Sequence, residues 1–324
     1  MFWNTQPINR KHRMYPKGNI GPVRLQPAAS HAASWSVTTR PPSPADLSAF
    51  LDQHYSSFHH DESLLEWALR TCLVTVSVFD RDEWVGFAMT FPLERMVMGN
   101  NVYEKVFFGN YLCVHTDHRG RGIAPVIIQR CIAESQTQGY ACGIMTRVNF
   151  LNRNRAWPVA KMPLFACDTL PPKDHTFPRT VRYDPAVHSQ ALRRWLFDSP
   201  RKKSIQCHWS LAWFEQEHPF VLRVCLDADR RLMGAFAFLL QSDQHHQQDT
   251  RAHGLFHVGD DVVKTVGTAI QVATVAYSVS SYVTWQPCYN IPWMKAVNGQ
   301  YVTAYTFGCS AGKETVADLD MMVW

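Results

Sequence analysis

The chain has 324 residues, of which 46% are hydrophobic, with a formal net charge of +5 and an isoelectric point near 8.7. This length and hydrophobic content argue against an extended disordered protein and predict a substantial core, built as two domains or two fused halves. The basic residues are scattered along the chain instead of being massed in one segment, so we expect no nucleic-acid partner.

Hydrophobic periodicity predicts helices and strands in both halves of the chain. In the first half, helices are predicted at 44–58 and 64–69, strands at 73–79, 84–91 and 111–114, and a further helix from Ile123. In the second half, a helix is predicted at 184–197, strands at 220–226 and 232–238, and a packed helix followed by a strand within 262–285. The strand at 232–238 modestly echoes the one that begins at Trp84, which suggests a duplication.

Two segments between these elements are rich in residues that interrupt regular structure. Pro163–Pro178 contains four prolines, and we interpret it as the connection between the two halves. Gln241–His253 is rich in Gln and His and predicts a polar loop.

Residues 110–125 form a strand, a glycine-spaced basic loop and the start of a helix. Tyr111–Val114 favour a strand, and Ile123, Ile127 and Ile128 recur at helical spacing, with Pro125 in the first turn. The loop and helix N-terminus leave backbone N–H groups available for an anion, and Gly120 and Gly122 keep side chains away from a phosphate. Arg119 and Arg121 add charge and forked donors. This pattern alone leaves open a simple strand-to-helix turn with solvated arginines.

Two common phosphate-binding motifs do not describe this loop. The spacing GxxxxGK[ST] of nucleoside-triphosphate loops is missing from it. It has only two glycines and follows no early βαβ unit, so it is not a dinucleotide fingerprint either.

The loop resembles the acyl-CoA pyrophosphate loop of the acetyltransferase-like acyl-CoA N-acyltransferase superfamily. More narrowly, residues 110–125 resemble the glycylpeptide N-tetradecanoyltransferase (protein N-myristoyltransferase) family, whose strand reads Asn-aromatic-Leu-Cys-Val-His and whose loop runs into an Ala-Pro helix start. Residues 2–7, Phe-Trp-Asn-Thr-Gln-Pro, and residues 64–70, Leu-Leu-Glu-Trp-Ala-Leu-Arg, resemble two further elements of that family. The likeness is strong to about position 150 and weaker beyond it.

The resemblance implies a fold and a domain division. We expect an α+β (mixed α/β) fold of two fused acyl-CoA N-acyltransferase-like halves, with a central, largely antiparallel twisted sheet flanked by helices. Residues 1–170 would bind acyl-CoA, and residues 171–324 would contribute the peptide groove and the C-terminal carboxylate.

The resemblance also implies an activity: transfer of myristate from myristoyl-CoA to the N-terminal glycine amine of proteins. The main-chain N–H groups of Tyr111 and Leu112 would stabilise the oxyanion, Asn110 and Thr146 would hold the amine, and the terminal carboxylate of Trp324 would accept the proton. Asp318 and Asp320 are alternative bases. Acyl-CoA binding is assigned to Phe2, Trp3, Leu112, Cys113, Val114, Arg119, Gly120, Arg121, Gly122, Ile123 and Ala124.

Departures from the family pattern leave two other functions open. Residues 151–158 lack the Tyr-x-His-Arg cluster that helps to form the family's peptide groove, and the Arg-Gly-Arg-Gly loop is closer to that of acetyltransferases. The chain could therefore transfer a shorter acyl group from CoA to a lysine or small amine, or bind acyl-CoA or a lipidated partner without turnover.

Other features bear on cofactors and compartment. The nine cysteines lack CxxC pairs, which predicts reduced thiols in the cytoplasm, and neither His59-His60 nor His245-His246 has a third metal ligand at a recognisable spacing. We expect no metal and no permanently bound cofactor, with acyl-CoA acting as co-substrate.

We also expect a monomer without a transmembrane segment. The most apolar stretch, 262–285, contains Lys264 and many small polar residues, which makes it a poor membrane span.

Overall fold

The structure is a computed structural model. It describes residues 35–55, 60–98, 101–140, 142–148, 160–167, 177–197, 204–210, 212–215, 218–242, 250–284, 291, 293–307 and 318–320.

Fourteen strands and six α-helices are formed by the described residues. The helices are α1 (Pro44–His54), α2 (Glu62–Thr71), α3 (Ile123–Thr137), α4 (Pro185–Phe197), α5 (Ala212–Glu215) and α6 (Val262–Tyr277). The strands are β1 (Trp35–Thr38), β2 (Val74–Asp80), β3 (Glu83–Met98), β4 (Asn101–Val114), β5 (Cys142–Val148), β6 (Ala160–Cys167), β7 (Arg179–Arg182), β8 (Ser204–Trp209), β9 (Val221–Leu226), β10 (Leu232–Ser242), β11 (Thr250–Gly259), β12 (Ser281–Thr284), β13 (Lys295–Phe307) and β14 (Asp318–Asp320).

The strands form one sheet whose order has approximate two-fold symmetry. The order is β1-β2-β3-β4-β5-β13-β6-β12-β11-β10-β9-β7, with β8 joining β3 and β14 joining β8. In each half, an antiparallel run ends in a parallel pair that is bridged by a helix: β4, α3 and β5 in the first half, and β11, α6 and β12 in the second. The expected mixed fold, a largely antiparallel sheet flanked by helices and built from two similar halves, is confirmed.

The two halves exchange a strand at the centre of the sheet. β13, from the end of the chain, pairs with β5 of the first half, whereas β6, which follows β5 in sequence, pairs with β12 of the second half. β6 and β13 also pair with each other. Each half of the sheet is therefore completed by a strand from the other half.

Helix α3 packs on one face of the first half of the sheet. Val74, Val76 and Val78 alternate along β2 and are buried against Ile123 and Ile127 of α3. A β-carbon at Gly86 of β3 would lie only 2.6 Å from Ile127 Cδ1 and 2.8 Å from Ile123 Cγ2. The missing side chain therefore allows the first turn of α3 to lie directly on the sheet.

Helices α1 and α2 cover the opposite face. Ser43 caps α1 by accepting a hydrogen bond from Asp46 N at 3.1 Å, and Asp61 caps α2 by accepting one from Ser63 N at 2.7 Å. Leu51 and Trp67 are buried in the main core with residues of β3 and β4. The functional end of β4 is thus enclosed between helices on both faces.

Most of the predicted elements are present, and two assignments were wrong in part. Pro163 to Cys167, predicted as connection, lie in β6 because the sheet of the second half recruits them as a central strand. Thr250 to His253, predicted as polar loop, begin β11, where Ala252 is fully buried. In both places, pairing with distant strands overrides the local composition.

No helix among the described residues is long and apolar enough to cross a membrane. Every cysteine in the described ranges is a free thiol.

Candidate active site

Strand β4 has a bulge at the position where the sequence places the chemistry. Cys113 pairs with Phe87 and Asn110 pairs with Met89, so that two residues of β4, Tyr111 and Leu112, lie opposite Ala88 alone. Tyr111 has a left-handed backbone, with φ of +54°, which is uncommon for a residue with a bulky side chain. Its buried side chain and surrounding packing hold the strand in this conformation.

After Gly109, and so along the bulge, β4 no longer pairs with β5. Their parallel ladder ends where Gly109 faces Met145. On the other side, His115 N donates to Val85 O at 3.0 Å, so alternate residues of β4 bond to β3. By that alternation, the main-chain groups of Leu112 and Val114 face away from β3. They face the gap that opens between β4 and β5 after their last pair, which we call the parting.

The amide of Tyr111 is held by its neighbour. Tyr111 N donates to Asn110 Oδ1 at 2.8 Å. Asn110 thus fixes the bulged peptide, whereas the Leu112 N–H is oriented toward the parting. This amide puts a main-chain donor at the edge of the parting, as an oxyanion requires. We call the parting together with this amide the slot.

The basic loop joins the end of β4 to α3. A one-turn 3₁₀ helix, Thr116–His118, precedes Gly120 and Gly122, which have φ of +81° and +91°. Gly122 is the N-cap of α3 and provides no side-chain hydrogen bond, and the first turn contains no acidic residue. A β-carbon at either glycine would point into open space. The positive end of the helix dipole and its first amides therefore lie beside open space, which suits a phosphate.

The two arginines of the loop have different contacts. Arg119 donates from Nε to Val114 O at 3.2 Å and from Nη2 to His54 O at 2.5 Å. Arg121 lies with Nη1 3.4 Å from His118 Nδ1. Both side chains are exposed. Arg119 fastens the loop to β4 and α1 through main-chain oxygens, whereas Arg121 contacts the ring of His118, so Arg121 is better placed to meet an anion.

A group of histidines lines the base of the loop. The His54 and His115 ring centroids are 3.9 Å apart, and both His115 and His118 face the carboxylate of Glu83. Burial lowers the pKa of His54, and the neighbouring His115 and Arg119 lower this pKa further.

The thiol beside the bulge is not activated. Cys113 is buried, and burial raises the pKa of its thiol to about 12. Because the thiolate is the nucleophilic form, Cys113 is unsuited to forming an acyl-enzyme.

The second half repeats the strand geometry without the anion site. The β11–β12 ladder ends at Gly254 and Thr284, and β11 then bulges at Leu255. Here the helix is capped, since Asp261 accepts a hydrogen bond from Lys264 N at 3.0 Å. A carboxylate at this helix start satisfies an amide and repels phosphate, so the first half carries the anion site.

Most predicted site residues come together at one end of β4. Asn110 to Val114 form the bulge and slot wall, and Arg119 to Ala124 form the loop and helix start. Thr146 lies on β5, one residue beyond the last pair with β4, at the opening of the parting. Phe2, Trp3 and Trp324 lie outside the described residues. The roles of all these residues stay predictions.

Sequence reasoning missed Glu83, His115 and His118, whose ligand atoms lie within 4.8 Å of one another. The spacing of the two histidines, separated by two residues, was a usable signal. The contribution of Glu83 was not predictable locally, because it is the first residue of β3 and reaches the site only through strand pairing.

Comparisons with known proteins give one family match and a shared fold. Residues 43–156 match the family described as myristoyl-CoA:protein N-myristoyltransferase, N-terminal domain. No curated protein sequence matches the chain.

Solved structures of Saccharomyces cerevisiae N-myristoyltransferase share the fold. One with bound myristoyl-CoA has a TM-score of 0.70 at 13% identity, covering 95% of this chain and 87% of that chain. A second with bound myristoyl-CoA has a TM-score of 0.69 at 14% identity, covering 95% and 92%. A third, with bound myristoyl-CoA and inhibitors, has a TM-score of 0.66 at 13% identity, covering 88% and 82%.

The matched residues 43–156, about a third of the chain, contain both the bulge of β4 and the basic loop.

Proposed function

We propose that this chain transfers myristate from myristoyl-CoA to the amino group of an N-terminal glycine. The observation that carries the proposal is the bulge of β4 at Tyr111 and Leu112, directly beside the uncapped start of α3. This arrangement places a main-chain donor and a phosphate-binding helix start close enough to contact the same ligand. It is supported by the match of residues 43–156 to the N-terminal domain of N-myristoyltransferases and by the fold shared with the yeast enzyme.

The reaction needs an oxyanion donor at the thioester carbonyl. The neutral glycine amine attacks the carbonyl carbon, a tetrahedral oxyanion forms, and its collapse breaks the C–S bond and releases the CoA thiolate. The Leu112 N–H faces the parting where that oxygen would lie, and one such donor contributes about 3 kcal/mol to transition-state stabilisation. Tyr111 is the second donor in this proposal, which requires Asn110 to release the Tyr111 amide when the ligand binds.

The amine is positioned and deprotonated by groups at the mouth of the slot. Asn110 and Thr146 would accept its hydrogen bonds, and the terminal carboxylate of Trp324 would take the proton that is lost on attack. A free α-carboxylate has a pKa of about 3.5, so this role requires surroundings that raise the pKa toward that of the amine. Appending residues after Trp324 would then abolish transfer while leaving acyl-CoA binding intact.

Acyl-CoA is held by the first half. The amides at the start of α3 and the Arg121 guanidinium would bind the diphosphate, Cys113 and Val114 would line the slot, and Phe2 and Trp3 would cover the ligand. Residues 171–324 would complete the peptide groove and supply the terminal carboxylate. This division of roles is compatible with the strand exchange, which makes each half depend on the other.

The free thiols among the described residues support a reducing compartment, and we propose the cytoplasm. The acceptors would be proteins or peptides that begin with glycine, bound by a monomer.

The decisive experiment is incubation with myristoyl-CoA and a glycine-initiated peptide, followed by mass spectrometry of the peptide. A myristoyl group on the α-amine supports the proposal, and a peptide acetylated at its amino terminus is the matched control that must stay unmodified. Product from acetyl-CoA but none from myristoyl-CoA would favour transfer of a shorter acyl group. Binding of myristoyl-CoA with no product from either thioester would make the chain a binding module.

A further inference from the structure

We propose that Glu83, His115 and His118 form a binding site for a divalent transition-metal ion, with Zn²⁺ as the best chemical fit. The Glu83 carboxylate lies between the two imidazoles, with Oε1 3.6 Å from His115 Nε2 and Oε2 3.0 Å from His118 Nε2. All three ligand atoms lie within 4.8 Å of one another. Separations of this size suit atoms that coordinate one ion at about 2.0 to 2.2 Å.

Two of the three ligands are held by their surroundings. The side chains of His115 and His118 are only 15% and 9% exposed, whereas that of Glu83 is 53% exposed. His115 is fixed through its backbone, because its N–H donates to Val85 O in the strand ladder. The site therefore has two oriented imidazoles and one solvent-facing carboxylate through which an ion can enter.

The ring of His118 has an outer partner. Asp80 Oδ2 lies 3.9 Å from His118 Nδ1, beyond hydrogen-bond distance, and Arg121 Nη1 lies 3.4 Å from the same nitrogen. Asp80 can therefore accept the Nδ1 proton of a ring whose Nε2 binds metal only when Arg121 moves away. Carboxylates in this outer position fix the tautomer and increase the basicity of a ligating histidine.

Metal binding changes the tautomer of His115. In the structure, Asp117 N donates to His115 Nδ1 at 3.2 Å, so the proton of a neutral ring is on Nε2. Binding of an ion at Nε2 moves that proton to Nδ1, and the contact with Asp117 is exchanged for the stronger metal bond. The turn at Thr116–His118 must adjust when the ion binds.

The donor set selects the kind of ion. Two imidazoles and one carboxylate favour Zn²⁺ or Co²⁺ over Mg²⁺ and Ca²⁺, which take oxygen ligands. Three protein ligands leave a fourth position for water. The ion would join Glu83, at the start of β3, to the segment that precedes Arg119. It would therefore hold the start of the basic loop, here also called the anion loop.

The test is titration of the untagged, metal-free chain with Co²⁺, followed by its visible absorption. Because His245-His246 could bind metal separately, the parent protein carries His245→Ala and His246→Ala. One equivalent of Co²⁺ producing tetrahedral d–d bands, and displaced by one equivalent of Zn²⁺, is the expected result. His118→Ala and Glu83→Gln should each weaken Co²⁺ affinity at least tenfold, while the neighbouring exposed carboxylate variant Asp82→Asn should leave it unchanged.

Thermal unfolding supplies a second readout. At one fixed concentration, Zn²⁺ should raise the Tm of the parent and of Asp82→Asn, and should raise the Tm of Glu83→Gln less. Glu83 is largely exposed, so this variant folds even if His118→Ala does not. Absence of stoichiometric Co²⁺ binding by the parent, or equal affinity in the parent and in Glu83→Gln, overturns the proposal. Neither readout depends on acyl transfer.

Discussion

Arg119 donates a hydrogen bond from Nη2 to the main-chain oxygen of His54 at 2.5 Å, joining the anion loop to the last residue of α1. A cation at the C-terminal end of a helix also interacts favourably with the helix dipole. Arg119 also donates a hydrogen bond from Nε to Val114 O. Without this bond, the Val114 carbonyl would face the slot proposed for the oxyanion. Arg119 therefore positions main-chain groups as well as adding charge.

This difference between the two arginines predicts different effects of their removal. Arg119→Ala should lower the free energy of unfolding by about 1 to 2 kcal/mol, because two charge-assisted hydrogen bonds are lost. Arg121→Ala should change stability by less than about 0.5 kcal/mol and weaken acyl-CoA binding about tenfold. Urea unfolding and calorimetric titration with myristoyl-CoA measure the two quantities. Equal stability of both variants would contradict the assigned contacts.

Two glycines at positive φ separate the effect of backbone strain on stability from the effect of the loop on ligand binding. Gly120→Ala and Gly139→Ala each place a side chain at positive φ with open space beside it, so each should lose about 1 to 2 kcal/mol of stability. Gly120 lies in the anion loop, whereas Gly139 follows the far end of α3. Only Gly120→Ala should weaken acyl-CoA binding as well. An equal loss of affinity in Gly139→Ala would mean that general destabilisation, not the loop, controls binding.

The proposed oxyanion donor is a main-chain group, and this predicts which changes matter at position 112. Replacing Leu112 by its α-hydroxy acid converts the amide to an ester and removes the N–H, and kcat should fall by about 10²- to 10³-fold. Leu112→Ala keeps the N–H and should retain most of kcat, with a modest loss of stability. Single-turnover acyl transfer provides the measurement. A small effect of the ester would exclude the Leu112 amide as an important donor.

Stability should depend on pH through His253. Its side chain is 8% exposed, and burial, with a smaller effect from Arg251, lowers its pKa from 6.5 to about 4. Between these two values the unfolded chain binds a proton that the folded chain does not, so this group reduces stability as pH falls. The free energy of unfolding falls by about 3 kcal/mol in all through this group, and the fall is complete only below about pH 4.

Replacing His253 with glutamine removes this titration. The His253→Gln variant should lose less stability than the wild type between pH 7 and pH 4.5, as followed by urea unfolding at several pH values. Parallel pH profiles for the two proteins would show that His253 is protonated in the folded state.

The exchange of β6 and β13 could not be predicted from local sequence. Prolines and small polar residues in 163–178 favour a connection, yet Leu164 and Phe165 are buried in a central strand. The partners of that strand lie more than a hundred residues away in sequence, and the free energy that selects them comes from burial across both halves.

Local periodicity and glycine placement act over a few residues, so the strand, the glycine-spaced loop and the start of α3 could be predicted from the sequence alone. Residues 110–125 also carry the resemblance to N-myristoyltransferases. Tertiary structure decided the left-handed backbone of Tyr111, the parting of β4 from β5 and the meeting of Glu83 with His115 and His118. Tyrosine has no local preference for that conformation, so only the packing of its ring and the pairing of distant strands could impose it.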